Sequence, residues 1–172
     1  MPGVDSNLTI GYVIGFIDAE ASFSVSIKIQ RDLAYGIRLD PMFSITQSNR
    51  EPLELITKII GAGRIIRKPG QKHLYLLVID NMEELANKLI PFLDKYKNFM
   101  YSKRKSYEVF REIVLALYNR TYRDGSTLKK LVAKAYELSS LNSKARRKRS
   151  LEEISTIIDS YTFKRRDPPG ER

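Results

Sequence analysis

The hydrophobic period of this chain changes abruptly at residue 20, and that change decides what the chain can build. Before it, Ile10, Val13, Ile14 and Ile17 fall at helical spacing. After it, Phe23, Val25, Ile27 and Ile29 alternate with Ser24, Ser26, Lys28 and Gln30. A 3.6-residue period buries one stripe of a helix, and a two-residue period buries one face of a strand. The pattern predicts a helix over residues 8–21, with Ser6 or Asn7 as N-cap, running with no loop into a half-buried strand. Two acids, Asp18 and Glu20, stand at the junction. Gly11, Gly15 and Ala19 recur every four residues along one ridge of the helix. A ridge of small side chains either lets a second helix approach closely or relieves crowding inside one domain.

The alternating pattern returns over residues 37–47, where Ile37, Leu39, Phe43 and Ile45 alternate with Arg38, Asp40, Ser44 and Thr46. With residues 31–36 free to turn, the two strands are expected to pair as an antiparallel hairpin. Ser48 and Glu51 form an expected capping box, with Pro52 in the first turn of a helix to Gly61 that buries Leu53, Ile56 and Ile60. A second hairpin is expected over residues 64–80, turning at Pro69 and Gly70, with Leu74, Leu76 and Val78 facing the core. Arg64, Lys68, His73 and Tyr75 are expected on its other face. Asn81 and Glu84 cap a helix expected to stop near Pro91. Two longer helices follow, over residues 103–117 and 127–138, separated by a turn at Asp124 and Gly125. Ser150 and Glu153 open a last short helix, and residues 163–172, with two consecutive prolines, read as an unstructured tail. This makes residues 1–162 one α+β domain with an αββαββα core, an antiparallel sheet and carboxy-terminal helices.

Composition narrows the chemistry. The 172 residues are 42% hydrophobic and 29% charged, a balance that folds. Thirty Lys and Arg against 20 Asp and Glu give +10, which points to a polyanion, DNA or RNA, as partner. With no cysteine, disulfides, thiolate catalysis and Cys-based zinc sites are excluded, and a single His cannot make a zinc cluster. A metal would be held by carboxylates and neutral oxygens, which suits a hard ion such as Mg²⁺. No long apolar run or secretory signal is found, so a soluble intracellular protein is expected, cytoplasmic in a prokaryote or organellar in a eukaryote.

The run Gly11-Tyr-Val-Ile-Gly-Phe-Ile-Asp-Ala-Glu-Ala-Ser-Phe23 resembles the motif of the LAGLIDADG homing endonucleases, with residues 13–20 carrying the match. The order of strands, hairpins and helices agrees with a single-motif member over nearly the whole chain. The resemblance implies a homodimer in which Gly11, Tyr12, Gly15, Phe16 and Ala19 pack against their copies in the partner. It also implies metal-dependent cleavage of both strands of a long, nearly palindromic DNA. Metal binding falls to Glu20 and the Ala19 main-chain carbonyl, with Asp18 structural. Glu20 stands where the family usually has Asp, and Ala21 where it has Gly. Gln47 matches a residue that organises water. Arg50 and Lys103, with Lys97 and Lys105 as competitors, match the basic residues around the scissile phosphate.

A two-stranded ribbon fits the major groove of B-DNA. The polar faces supply Ser24, Ser26, Lys28, Gln30, Arg38, Asp40, Ser44 and Thr46, joined by Arg64, Lys68, His73 and Tyr75, as candidate base contacts. Asn142, Ser143, Lys144, Arg147 and Lys148 resemble the family's late loop that grips phosphates, contacts that position DNA without reading it. An RNA-binding intron maturase and a non-catalytic DNA-binding protein are the alternatives on the same scaffold.

Overall fold

The computed structural model of the protein describes residues 6–122, 124–142 and 148–166, and for 162–166 the backbone alone. The chain runs α1 (Ser6–Glu20), β1 (Ala21–Ile29), β2 (Ile37–Gln47), α2 (Glu51–Ile60), β3 (Arg64–Lys68), β4 (Gln71–Ile79), α3 (Met82–Glu84), α4 (Ile90–Tyr96), α5 (Arg104–Tyr118), α6 (Gly125–Leu141) and α7 (Leu151–Arg166). The four strands form one antiparallel sheet in the order β1-β2-β4-β3. As the period change requires, α1 ends at Glu20 and β1 begins at Ala21.

One sheet face is core. Ala21, Phe23 and Val25 on β1 are set against Ile45, Phe43 and Pro41 on β2, and β2 continues the same face to Leu77 and Ile79 on β4. Phe23 is fully buried among Phe43, Tyr107 and Phe110, with ring centroids 5.4, 5.7 and 5.2 Å away, so it ties β1 and β2 to α5. Burying an aromatic ring among three others contributes both area and edge-to-face contact. Helices α1, α2 and α5 lie over this face, while α6 packs on α5, α7 and β1.

Local expectations fail at five places. In β4 the parity is reversed: Tyr75 shares the side of Leu77 and Ile79, whereas Leu76 and Val78 pair with Thr46 and Ser44 on the other side. Val78 is buried there as expected, although outside the main core cluster. Residues 74–79 are apolar apart from Tyr75, so alternation carried no side information, and pairing with β2 decided it. Pro91 does not end its helix, because a π-turn (Leu85–Leu89) precedes it and α4 continues to Tyr96. A proline removes an N–H and crowds the carbonyl four residues back, and a wider turn relieves both. Helix α2 has no Ser48 cap: Asn49 Oδ1 accepts the Glu51 N–H at 3.1 Å. Asp124 is not a turn residue but the N-cap of α6, in a reciprocal box with Thr127. Helix α7 runs through Arg166, past the expected start of the tail at Phe163. The Ser150–Glu153 box forms as expected, at 2.7 and 3.1 Å. At Asn81, the side chain takes the Glu84 N–H, while the Glu84 carboxylate turns to the Gly63 N–H.

Candidate active site and polar sheet face

The end of α1 is the place where catalytic groups could gather. Glu20 is exposed at the last turn, and the Ala19 carbonyl is among the last four of the helix, which have no later helical N–H to accept. Asp18 points the other way. Its carboxylate accepts the backbone N–H groups of Tyr101 at 3.0 Å, Ser102 at 2.9 Å and Lys103 at 2.7 Å. Burial pushes the Asp18 carboxyl up, but the N–H donors of Lys103, Ser102 and Tyr101 together outweigh it and hold it below the ordinary carboxylate value. Asp18 thereby moors the start of α5 to the foot of α1.

This mooring distinguishes the three candidate lysines by their surroundings. Lys103 is the N-cap of α5 and is bonded to Asp18 through its backbone, two residues from Glu20 in the motif helix. Lys97 pairs with Asp94 at 3.9 Å, and Lys105 lies exposed in the first turn of α5. Gln47 reaches the same corner from the sheet, because Ala21 pairs with Ile45 and the last two residues of β2 run on past the helix foot. Arg50 lies beyond it, bound to Glu54 at 2.7 Å with its guanidinium 5.9 Å from the centre of the Tyr75 ring.

Among the described residues no three His, Cys, Asp or Glu side chains come together as a complete metal cage. What the chain presents at the foot of α1 is one carboxylate and one helix-end carbonyl, both hard oxygens. These suit Mg²⁺, which commonly takes one or two carboxylates and completes its shell with water and phosphate.

The open face of the sheet carries the expected polar set in part. Ser26 and Lys28 on β1 stand opposite Asp40 and Arg38 on β2. Asp40 bonds both Lys28 and Arg38 at 2.7 Å. Its burial opposes ionisation, but the two cations prevail and keep its carboxyl below the ordinary value. Arg64 makes a two-pronged bond to Asp80 at 2.6 and 2.8 Å. The protein thus holds its candidate base-reading groups in mutual ion pairs, which are exposed and contribute little to stability. Ser24 donates to the Met42 carbonyl, and Gln30 reaches Asp32 at the hairpin tip.

Several expected contacts are placed elsewhere. Ser44 is 8% exposed between Ser22 and Val78 and has no open reading position. Thr46 is half-buried beside Leu76. Tyr75, and with it His73 two residues earlier, belongs to the side opposite Arg64, whose partner in β4 is Val78. Lys68 pairs with Gln71 across a register shift. The Asn142 amide donates to the Phe23 carbonyl at 2.9 Å, so it covers the β1 edge rather than extending to a phosphate. Lys148 is exposed at a groove with Ser24, Ser26, Tyr136 and Arg149, while Ser143, Lys144 and Arg147 lie outside the described residues. Sequence reasoning missed Arg67, which sits 4.1 Å over the Tyr75 ring. Only the β3–β4 register, not local spacing, marks it.

The outer side of α1 is apolar and bare. Gly11, Tyr12, Gly15 and Ala19 are exposed, Phe16 is half-covered, and a Cβ placed at Gly11 or Gly15 would meet nothing within 4 Å. Those glycines do not relieve crowding within the protomer. The ridge borders a hollow lined by Ile10, Ile14, Tyr96 and Phe99, the last of them 66% exposed.

Comparison with known proteins agrees with this arrangement. The profile of the LAGLIDADG endonucleases matches residues 13–114. The chain is 51% identical over 171 residues to homing endonuclease I-ApeII of Aeropyrum pernix, covering 98% of this chain and 100% of that protein. It is 32% identical over 117 residues to DNA endonuclease I-CeuI of Chlamydomonas moewusii, covering 66% of this chain and 54% of that one. The archaeal intron-encoded homing endonuclease I-Vdi141I, solved in complex with DNA, superposes with a TM-score of 0.89 at 48% identity over 92% of this chain and 99% of its own. With the motif at the end of α1, the sheet it leads into and a family match over residues 13–114, this chain belongs to the LAGLIDADG endonuclease family.

Proposed function

We propose that the protein is a site-specific homing endonuclease that acts as a homodimer and hydrolyses both strands of a nearly palindromic DNA with Mg²⁺. The observation that carries this reading is the pairing of an exposed Glu20 with a bare apolar ridge on the same helix. One protomer supplies one acidic helix foot. A two-fold axis along the ridge of Gly11, Gly15 and Ala19 brings two such feet together, one for each strand. Among the described residues no helix is long and apolar enough to cross a membrane.

In this mechanism Glu20 and the Ala19 carbonyl would hold the metal, which would supply positive charge to neutralise the scissile phosphate and to lower the pKa of the attacking water. Gln47 is a neutral amide, so it orients water by hydrogen bonding and does not act as a base. Lys103, fixed through Asp18, sets a positive charge beside the phosphate. The open sheet face lies along the major groove. Base contacts there require the internal pairs of Asp40 and Asp80 to be exchanged for bases: Arg38, Lys28 and Arg64 suit guanine, and the carboxylates suit cytosine. Lys148 and its neighbours hold phosphates.

The test is the Glu20→Gln protein on DNA spanning the insertion site of its gene. It should bind as wild type does and cut at least about 10³-fold more slowly, as for loss of a group that stabilises charge in the transition state. Near-normal cutting removes Glu20 from the mechanism. Wild-type protein that binds intron RNA and leaves the DNA whole selects the maturase instead.

A further inference from the structure

Two arginines share one aromatic ring beside the candidate catalytic corner. The Arg67 guanidinium lies 4.1 Å from the centre of the Tyr75 ring and that of Arg50 5.9 Å from the same centre. They come from different elements, Arg67 from β3 and Arg50 from the entry to α2, and the sheet register unites them. Tyr75 pairs with Arg67 on one side and with Gln47 on the other. Arg50 also makes an exposed pair with Glu54, a weak contact that a phosphate would share or displace. Arg67 is exposed, and among the described residues its side chain donates to the Lys72 carbonyl at 3.1 Å, a neutral acceptor. Lys68 and Lys72 add further positive charge at the β3–β4 turn.

Bringing like charges onto one ring is unfavourable by itself, and a ring face offsets only about 0.5–1 kcal/mol per exposed cation. An anion that accepts from both removes the conflict. Contact with the ring also restricts the side chains, Arg67 at 4.1 Å more than Arg50 at 5.9 Å, so less freedom is lost on binding. We propose that Arg67 and Arg50, held by Tyr75, clamp a backbone phosphate next to the one that is cut. The proposal rests on the endonuclease reading and adds Arg67 and Tyr75 to it as groups that set DNA position at the reaction centre. Gln47, the register neighbour of Tyr75, would then be aligned with the scissile bond by the same contact.

The experiment uses the full-length protein and the insertion-site duplex. Binding is measured against salt in EDTA, so that nothing is cut, and cleavage is measured separately at saturating protein with Mg²⁺. Arg67→Ala removes one contact from each protomer and so two from the dimer, and should weaken binding at least about tenfold and lower the salt slope by about two. Arg67→Lys keeps charge but not the planar fork, and should restore the slope but not the cutting rate. Tyr75→Phe keeps the ring and should behave as wild type, whereas Tyr75→Leu should cut more slowly at saturation. The deciding arm replaces phosphates near the cut by neutral methylphosphonates in symmetry-related pairs, one in each half-site. One such pair should weaken wild-type binding about as much as Arg67→Ala does, and the two changes together should cost no more than either alone. If wild type cuts while Arg67→Ala keeps full affinity, full slope and full sensitivity to every neutral phosphate, the clamp is wrong and the endonuclease reading stands. If wild type neither binds nor cuts this DNA, both fall.

Discussion

Replacing Gly15 by leucine separates folding from assembly, because the two effects have opposite sign. In one protomer a Cβ at Gly15 would meet nothing within 4 Å, so the new side chain has room. Glycine inside a helix costs about 1 kcal/mol relative to good helix formers such as leucine. Gly15→Leu should therefore leave the isolated fold intact or stabilise it by up to about 1 kcal/mol, roughly 2–4 °C in Tm for a chain of this size. The dimer suffers instead. The bare ridge allows two α1 helices to approach closely, and a leucine on each inserts bulk on both sides of the axis. Overpacking costs about 1–3 kcal/mol per site, and symmetry applies it twice. That total of about 2–6 kcal/mol raises the dimer dissociation constant by roughly 30-fold to 10⁴-fold. Sedimentation over a protein dilution series measures association, thermal unfolding at the dilute end measures the protomer, and a cutting assay measures their consequence. Gly15→Leu protein that dimerises and cuts like wild type would refute the reasoning, as would dilute protein with a lowered Tm.

Other expectations concern the supports of the site. Asp18→Asn removes one acceptor oxygen from three backbone N–H groups and should cost about 1–3 kcal/mol, with cutting reduced more than DNA affinity because Lys103 loses its anchor. Since the folded Asp18 carboxyl is held below its ordinary value, its contribution is present above about pH 4 and is lost as pH falls through the folded value. Urea titrations at several pH values should show wild type and Asp18→Asn converging in acid, and parallel curves would contradict the assignment. Tyr107→Phe removes a buried hydroxyl that donates to the Ile90 carbonyl at 3.1 Å and Asp94 at 2.9 Å. It should cost about 1–2 kcal/mol in urea unfolding and leave cutting unchanged, because Arg111 still holds Asp94 at 2.8 Å. Tyr107 is held protonated by burial and by Asp94, so this contact should not vary across neutral pH.

The period change at residue 20 determined the helix-to-strand junction, and with the motif it identified the family and pointed to Glu20 as the candidate metal ligand, because both are written in near neighbours along the chain. The same holds for the Ser150–Glu153 box, whose members are three residues apart. What lay beyond sequence reasoning depends on partners far along the chain. The side on which Tyr75 lies follows from pairing with Gln47, since a nearly unbroken apolar run has no preferred face. Lys103 differs from Lys97 and Lys105 in being anchored through its backbone N–H to Asp18, 85 residues away. Asn142 is drawn to the Phe23 carbonyl across 119 residues, and Arg67 and Arg50 come near one ring only because the sheet register sets Tyr75 beside them. Spacing encodes which face of an element is apolar, but which polar groups converge is decided by sheet register and helix docking, and those are properties of the folded chain as a whole.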